Sequence, residues 1–201
     1  ELAALPFEER ANRINTHGWF GQVPGAAVVD HHPDGALRLL TRVSLTADDL
    51  GIQSGLGPEE AADSFLSGLG GMVLDLGSEA ELSREARSVE LTGETVVVYR
   101  QSFGGVPLID GSLFLTFDEE GRLTRIRNDT LPSISHATTP QVAPDEALAA
   151  IGDLVGEEVE IARHGLFVAS SGADRRETRL VWEVAVVGTE TGRPAGAFRV
   201  D

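Results

Sequence analysis

Hydrophobic and polar positions alternate through much of the chain, which is the pattern of half-buried β-strands. Leu113, Leu115 and Phe117 give the clearest case, because all three fall on one face of an extended segment. Short runs rich in Gly, Asp and Pro separate the alternating segments and predict turns. The pattern predicts strands, mostly paired as antiparallel hairpins, over residues 26–30, 36–43, 84–91, 94–103, 111–117 and 122–128.

Three other segments repeat their hydrophobic residues at helical spacing. Each opens with a proline followed by acidic residues, at Pro6, Pro58 and Pro144. Proline suits the first position of a helix, and acids in the first turn interact favourably with the helix dipole. We expect the first helix to end near Gly18 and the glycines at 68–71 to end the second.

The last third of the chain repeats the order of a helix followed by strands. Residues 131–143 carry two prolines and several hydroxyl side chains without periodicity, which is typical of a linker. The sequence therefore predicts an α+β fold of two small domains, each with a helix packed on an antiparallel sheet. The first predicted domain spans 1–131, the linker 132–143 and the second domain 144–201. Within the second domain we expect strands at 159–170, 177–187 and 195–200.

Charge and cysteine content narrow the function. The chain has 201 residues with 32 acidic and 16 basic side chains, all of the latter Arg, and a formal net charge of −16. Such a surface repels phosphate backbones, so we expect no nucleic-acid partner. Apolar runs are too short for a membrane-spanning helix, and no signal-peptide pattern opens the sequence. The absence of Cys excludes thiol catalysis and a disulfide framework.

No motif for catalysis or cofactor binding stands out. The sequence contains no HExxH, GxSxG or P-loop pattern. His31 and His32 form the only metal-like pair, but neighbours on a strand point to opposite faces, which favours a turn or surface role. The acidic run at 118–120 ends in Gly121 and predicts a turn. We therefore expect a non-catalytic protein without metal or cofactor; an enzyme with a dispersed carboxylate or serine site is the weakest alternative.

One stretch carries a recognisable pattern. Residues 95–108, TVVVYRQSFGGVPL, resemble the signature of the fungalysin/thermolysin propeptide (FTP) domain. The signature is followed, as in that family, by a strand, an acidic turn and another strand, GSLFLTFDEEGRLTRIRN. The matching positions are Gln101, Phe103, Gly105, Val106, Pro107 and Leu108.

The second predicted domain resembles a PepSY domain, which follows FTP in the pro-regions of thermolysin-like metalloproteases. Residues 179–201, RLVWEVAVVGTETGRPAGAFRVD, are similar to its final hairpin. The matching positions are Leu180, Trp182, Val184, Val200 and Asp201. The resemblance implies a cystatin-like or PepSY-like second domain. Family pro-regions continue for a few residues beyond the position of Asp201 before the protease begins.

Together the two resemblances imply a non-catalytic propeptide. Such a chain acts as an intramolecular chaperone and inhibitor of a secreted bacterial thermolysin-like zinc metalloprotease, whose protease domain is its partner. The implied location is extracellular or periplasmic, without a membrane partner. The alternative is a standalone extracellular FTP/PepSY binding module or protease inhibitor without a linked protease.

We expect the resemblance motifs to dock the partner or to determine the fold. Pro107 suits a strand start or edge, and the glycines before it allow a tight turn or close approach. Sheet-and-turn patterns are commonly structural, so both roles stay open at this point. The candidate residues are Gln101, Phe103, Gly105, Val106, Pro107, Leu108, Trp182, Phe198, Val200 and Asp201.

Overall fold

The computed structural model describes residues 28–32, 36–74, 76–77, 79–90, 92–132, 134, 139–155, 159–172, 175–187 and 194–200. The helix expected from Pro6 lies outside these residues, and so does Asp201. The described strands are β1 Val28–His31, β2 Leu37–Leu45, β3 Ala80–Val89, β4 Thr95–Phe103, β5 Val106–Phe117, β6 Leu123–Asn128, β7 Val159–Gly172, β8 Arg175–Val187 and β9 Pro194–Val200. The described helices are α1 Ala47–Leu50, α2 Pro58–Phe65, a π-helical segment Leu66–Gly70, α3 Gly71–Val73 and α4 Pro144–Val155.

The first six strands form an antiparallel sheet in the order β1-β2-β6-β5-β4-β3. Strands β7, β8 and β9 form an antiparallel set of their own. The two sets are joined where the start of β5 pairs with β7 in parallel, Leu108 opposite Leu166. The predicted α+β class is confirmed, whereas the division at residues 132–143 stays a prediction.

Strand β4 explains why one face of the larger sheet is buried. Its nine residues alternate strictly, with Thr95, Val97, Tyr99, Gln101 and Phe103 buried and the residues between them half-buried. This is the period expected for a strand with one face against a core. The core under that face is formed by α1 to α3 and the inner residues of the sheet, chiefly Leu37, Leu40, Leu50, Phe65, Leu74, Leu113, Leu115, Phe117, Leu123 and Ile126.

Helix α2 follows the expected capping rules. Pro58 lies at its first turn with Glu59 and Glu60, and its buried face is Ala61, Ala62 and Phe65. The glycines at 68–71 do not end it, contrary to expectation. The helix instead widens into the π-helical segment, with Gly68 at φ −112° and ψ −117°, and continues into α3. A glycine accommodates this departure without breaking the helical layer.

Two other expectations from the sequence are corrected. Strand β5 begins at Val106 rather than at 111, so it passes through both Pro107 and Gly111. Helix α1 was not expected; it has a capping box between Thr46 and Asp49 and ends at Gly51 in the left-handed conformation, φ 66°.

His32 lies in the connection between β1 and β2, but one part of the expectation for the histidine pair is corrected. His32 is buried, with Nε2 2.6 Å from the main-chain oxygen of Asn128, rather than lying on the surface. Asn128 is buried too, and its side chain donates to the main-chain oxygen of Leu37 at 2.9 Å. These contacts fasten the end of β6 to the start of β2.

Candidate interaction surface

Gln101 is the most constrained residue of the FTP-like motif. Its side chain is fully buried, and Nε2 donates to the Leu131 carbonyl oxygen at 2.6 Å. The Leu131 N–H donates in turn to Oε1 at 2.7 Å. The register between β4 and β5 shifts here, because residues 108–111 of β5 lie opposite the single residue Gln101. The side-chain amide of Gln101 therefore forms the two hydrogen bonds that a neighbouring strand would otherwise make with the main chain of Leu131.

The apolar residues of the motif build a small core at the same place. Phe103 and Leu108 are buried against Leu131. Leu180 of β8 packs on this cluster, together with Ala80, Val106 and Ile134. The motif at 101–108 is thus the joint at which the larger sheet meets β7 and β8. Phe103 and Leu108, like Gln101, have no surface to offer a partner in this state.

The joint is tightly packed on its β7 side. A Cβ atom added to Gly165 would lie 2.6 Å from the Pro107 carbonyl oxygen and 2.8 Å from Cγ1 of Ile109. Gly165 is therefore a position where a side chain cannot fit without moving the main chain. Close approach of the two backbones follows directly from this glycine.

The PepSY-like residues of β8 occupy one face. Leu180 contacts the joint, and Val184 is buried with Ala147 and Ile151 of α4. Between them, Trp182 is half-buried and donates from Nε1 to the Val142 carbonyl oxygen at 2.8 Å. Through these three alternate residues, β8 contacts the joint, the end of the predicted linker and helix α4.

The exposed part of the FTP-like motif is its turn. Gly104 and Gly105 have positive φ angles of 54° and 76° and are exposed. Val106 is half-buried and Pro107 is exposed. Docking through these residues stays a prediction. On β9, the main chains of Phe198 and Val200 pair with β8, while their side chains and the whole of Asp201 lie outside the described residues.

A different element, strand β3, has a long edge that no other described strand covers. Strand β3 spans ten residues and, among the described strands, pairs only with β4. Seven of its residues in sequence, 83–89, are exposed. An edge strand of this length presents a row of main-chain N–H and C=O groups to which another strand can pair.

Two open cavities lie along the inner side of β3, between this strand and the helical layer; we call the cavities and the surface between them the β3 groove. At one end a cavity of about 290 Å³ opens to solvent. Half-buried leucines, which pack on the main core from its edge, dominate its walls. The lining residues are Asp63, Leu66, Ser67, Leu76, Ala80, Leu82 and Tyr99.

Polar contacts fix the middle of the groove. Asp63 of α2 accepts from the Tyr99 hydroxyl at 2.5 Å and from Arg84 of β3 at 2.7 Å. Burial, followed by the hydrogen bond to Asp63, raises the pKa of Tyr99 well above its usual range. The ion pair connects the edge strand to the helix but is exposed on both sides, so its contribution to stability is small.

The other end of the groove is acidic. A second cavity, of about 430 Å³, is lined there by Leu56, Val89 and the turn at 118–121. Asp118 and Glu120 both pair with Arg122, whereas Glu119 makes no ion pair among the described residues. The hydrogen bond that Arg122 donates to the Asp118 carboxylate raises the pKa of Arg122, which keeps that guanidinium charged.

Sequence reasoning did not find this groove. The β3 residues read as an ordinary strand, and Tyr99, Asp63 and Arg84 lie far apart in the chain. The sequence feature that relates to the groove is a set of five leucines near the predicted helix and strand. The main core buries them only in part: Leu56, Leu66, Leu69, Leu76 and Leu82.

The described residues contain no three His, Asp or Glu side chains arranged to hold a metal ion. No helix within the described ranges is long and apolar enough to cross a membrane.

Comparison with known proteins finds similarity to solved structures alone. No protein-family model matches the chain, and no curated protein matches it. Among solved structures, the Bacillus megaterium YpeB C-terminal domain is similar over 96% of this chain and 97% of that one, with 9% sequence identity and a TM-score of 0.38. A similarity at this level assigns neither a family nor an activity.

Proposed function

We propose that this chain is a non-catalytic pro-region that binds a secreted thermolysin-like zinc metalloprotease, assists its folding and inhibits it. The observation that carries the proposal is the edge of β3 that no other described strand covers. Ten residues of edge strand beside a partly apolar groove fit the addition of a strand from another protein. The sequence resemblances at 95–108 and 179–201 support the choice of partner.

Strand addition accounts for both halves of the proposed activity. A folding protease gains a preformed strand on which its own chain can pair, which lowers the cost of slow non-local contacts. Because the pro-region binds the folded protease and not the unfolded chain, it also stabilises the product. The same bound strand covers the protease surface and blocks access of substrate.

The joint at 101–108 has a supporting role in this proposal. The Gln101–Leu131 hydrogen bonds and the Phe103–Leu108–Leu180 contacts hold the two sets of strands together. A rigid joint keeps the binding surface in one arrangement, which reduces the entropy lost on binding. The FTP-like pattern would then be needed for the partner indirectly, through the fold.

An inhibition titration tests the proposal. A thermolysin-like protease domain from the same genome is assayed on a fluorogenic peptide while this chain is added as a separate protein. We expect activity to fall to a plateau at a 1:1 ratio. Full protease activity at saturating chain would contradict the inhibitory role.

Proline substitutions provide matched variants for the same assay. Neighbouring strand residues point their N–H groups to opposite edges, so Arg87→Pro and Ser88→Pro differ in which edge they disrupt. The N–H groups that face β4 support the sheet, so losing one lowers the thermal midpoint. The variant whose midpoint is unchanged has therefore lost an N–H on the outer edge of β3. We expect that variant to inhibit at least about ten-fold more weakly, because strand addition relies on main-chain hydrogen bonds. Unchanged inhibition by this folded variant would exclude the β3 edge.

The standalone binding module is the second candidate. The β3 edge favours it equally, because strand addition needs no covalent link between the partners. Binding of an extended segment at β3 without any effect on the metalloprotease would support this second function over the first.

A further inference from the structure

We infer that the β3 groove accepts an extended segment with an aliphatic side chain at one end and basic side chains about six residues away. The inference rests on the proposed function for the existence of a strand-adding partner, and it specifies the chemistry of that partner. The spacing follows from the separation of the two cavities along β3, at about 3.3 Å for each residue of an extended chain.

The preference for an aliphatic side chain follows from residues on the inner face of β3 that the core buries only in part. On the inner face of β3, Ala80 and Leu82 lie opposite Phe103 and Gln101 of β4, both of which are buried. Ala80 and Leu82 themselves are only half-buried, because β3 is the last described strand on that side. A further strand would place every second side chain over this edge. An aliphatic side chain there would be buried against Leu66, Leu76 and Leu82.

The shape of the helical layer supports this assignment. Helix α2 runs beside β3 from Pro58, at the acidic end, to the π-helical segment, at the apolar end. The π-helical turn contributes Leu66 and Ser67 to the wall of the apolar cavity. Such turns often occur at functional sites, and here the turn widens the helix where an inserted side chain would lie.

The basic preference follows from charge. Three carboxylates and one guanidinium group line the other cavity: Asp118, Glu119 and Glu120 against Arg87. Glu59, Glu90 and Arg122 each follow a lining residue directly in the chain. Of these carboxylates, Glu59, Glu90 and Glu119 make no ion pair within the described part of the chain. The net charge of −16 adds a long-range attraction for cations. The same net charge opposes pairing of β3 with a second copy of this chain.

A peptide-binding experiment tests the inference with the whole chain. The probe is the fluorescein-labelled peptide TLSVTVSRTR, which puts leucine, valines and arginines on one face, together with its reversed sequence for the opposite strand direction. One of the two should bind and slow hydrogen exchange in β3. A version with glutamates in place of arginines, and one with prolines in place of the serines and the central threonine, should bind at least about ten-fold more weakly.

Variants locate the site. Leu66→Glu and Leu82→Glu should each weaken binding of the probe about ten-fold or more, since a carboxylate cannot be buried there without a partner. Leu154→Glu is the control, because Leu154 is 72% exposed on α4. Glu90→Gln with Glu119→Gln should weaken binding and its salt dependence, whereas Asp145→Asn with Asp153→Asn should not. Thermal midpoints check that each variant is folded.

The outcomes separate this inference from the proposed function. Equal binding of the arginine and glutamate peptides, equal binding to Leu82→Glu and to the unchanged chain, or dimerisation through β3 in sedimentation would overturn the inference. Inhibition of the protease without binding of either probe would overturn it too, and leave the proposed function standing. Probe binding at β3 without protease inhibition would support the inference and contradict the proposed function.

Discussion

At the scale of single residues, Gln101 combines two roles that are usually separate. It is an inner-face residue of a strand, where apolar side chains are the rule, yet its amide group completes the hydrogen bonds of Leu131. The sequence resemblance identified Gln101 as important but gave no partner for it. Leu131 is thirty positions away, and only the register shift in β5 brings it within reach.

Replacing Gln101 tests this account. Gln101→Leu keeps a similar volume but leaves the buried N–H and carbonyl of Leu131 without partners. We expect a loss of about 2–4 kcal/mol in the free energy of unfolding, measured by urea denaturation. Ser102→Ala, which removes only a contact to the exposed Glu81, is the control and should cost less than about 0.5 kcal/mol. A loss below about 1 kcal/mol for Gln101→Leu would show that the pair is unimportant.

Tyr99 gives a pH-dependent prediction at the same scale. Its pKa is raised in the folded chain, so the folded state holds the phenol proton more tightly than the unfolded state. The resulting stability is fully present below the unfolded pKa of about 10 and is lost as the pH rises above that value. We therefore expect the urea midpoint to fall between about pH 9 and pH 11.

The measurement is unusually clean in this chain. Tyr99 is the single Tyr, and no Lys titrates in the same range. The tyrosinate absorbance should stay low until the chain unfolds. Ionisation near pH 10 in a chain that remains folded would contradict the burial of Tyr99, and Tyr99→Phe should have a weaker dependence on pH.

At the scale of elements, the sequence predicted most strands and two of the helices. Alternation is strong in β4, where Thr95 to Phe103 have one buried face, and the prediction matched it within one residue. It failed where breaker residues lie inside an element. The predicted strand began only at Gly111, whereas β5 begins at Val106, and a bulge accommodates Pro107 and Gly111 within it.

The junction of β5 and β7 could not be predicted for a different reason. Parallel pairing of Leu108 with Leu166 depends on the packing of Gly165 against Pro107, and no local pattern encodes a contact between such distant segments. The PepSY-like positions Leu180 and Trp182 were identified, but not that they face the joint and Val142.

Gly165→Ala tests this junction. The added methyl group overlaps the Pro107 carbonyl oxygen, so we expect β7 to separate from β5 and stability to fall by about 1–3 kcal/mol. Hydrogen exchange should accelerate in β7 and at the start of β5 while β6 keeps its protection. Gly57→Ala is the control, because a Cβ there would come no closer than 4.0 Å to Glu60. Unchanged exchange in β7 would contradict the tight junction.

At the scale of the whole molecule, charge is the dominant feature. The sequence alone gives the net charge of −16, but the structure is needed to see where carboxylates lie close together, as at the acidic end of the β3 groove. Glu119 and Glu90 belong to separate turns that the β3–β4 and β5–β6 pairings place on the same side of the molecule. Self-repulsion of this kind destabilises a compact state.

Salt should therefore stabilise the isolated chain. Raising NaCl from about 20 mM to about 200 mM shortens the screening length by roughly three-fold. We expect the thermal midpoint to rise by a few degrees, followed by circular dichroism, and binding of a basic partner to weaken over the same range. A midpoint that falls with added salt would show that attractive pairs outweigh the repulsion.

A refolding experiment tests the central claim most directly. The metalloprotease domain encoded in the same source is denatured and diluted into buffer with and without this chain, and its peptidase activity is followed with time. We predict that activity is recovered only with the chain present and is suppressed again when the chain is in excess. Equal recovery without the chain, together with no suppression by its excess, would contradict the claim that this protein folds and inhibits such a protease.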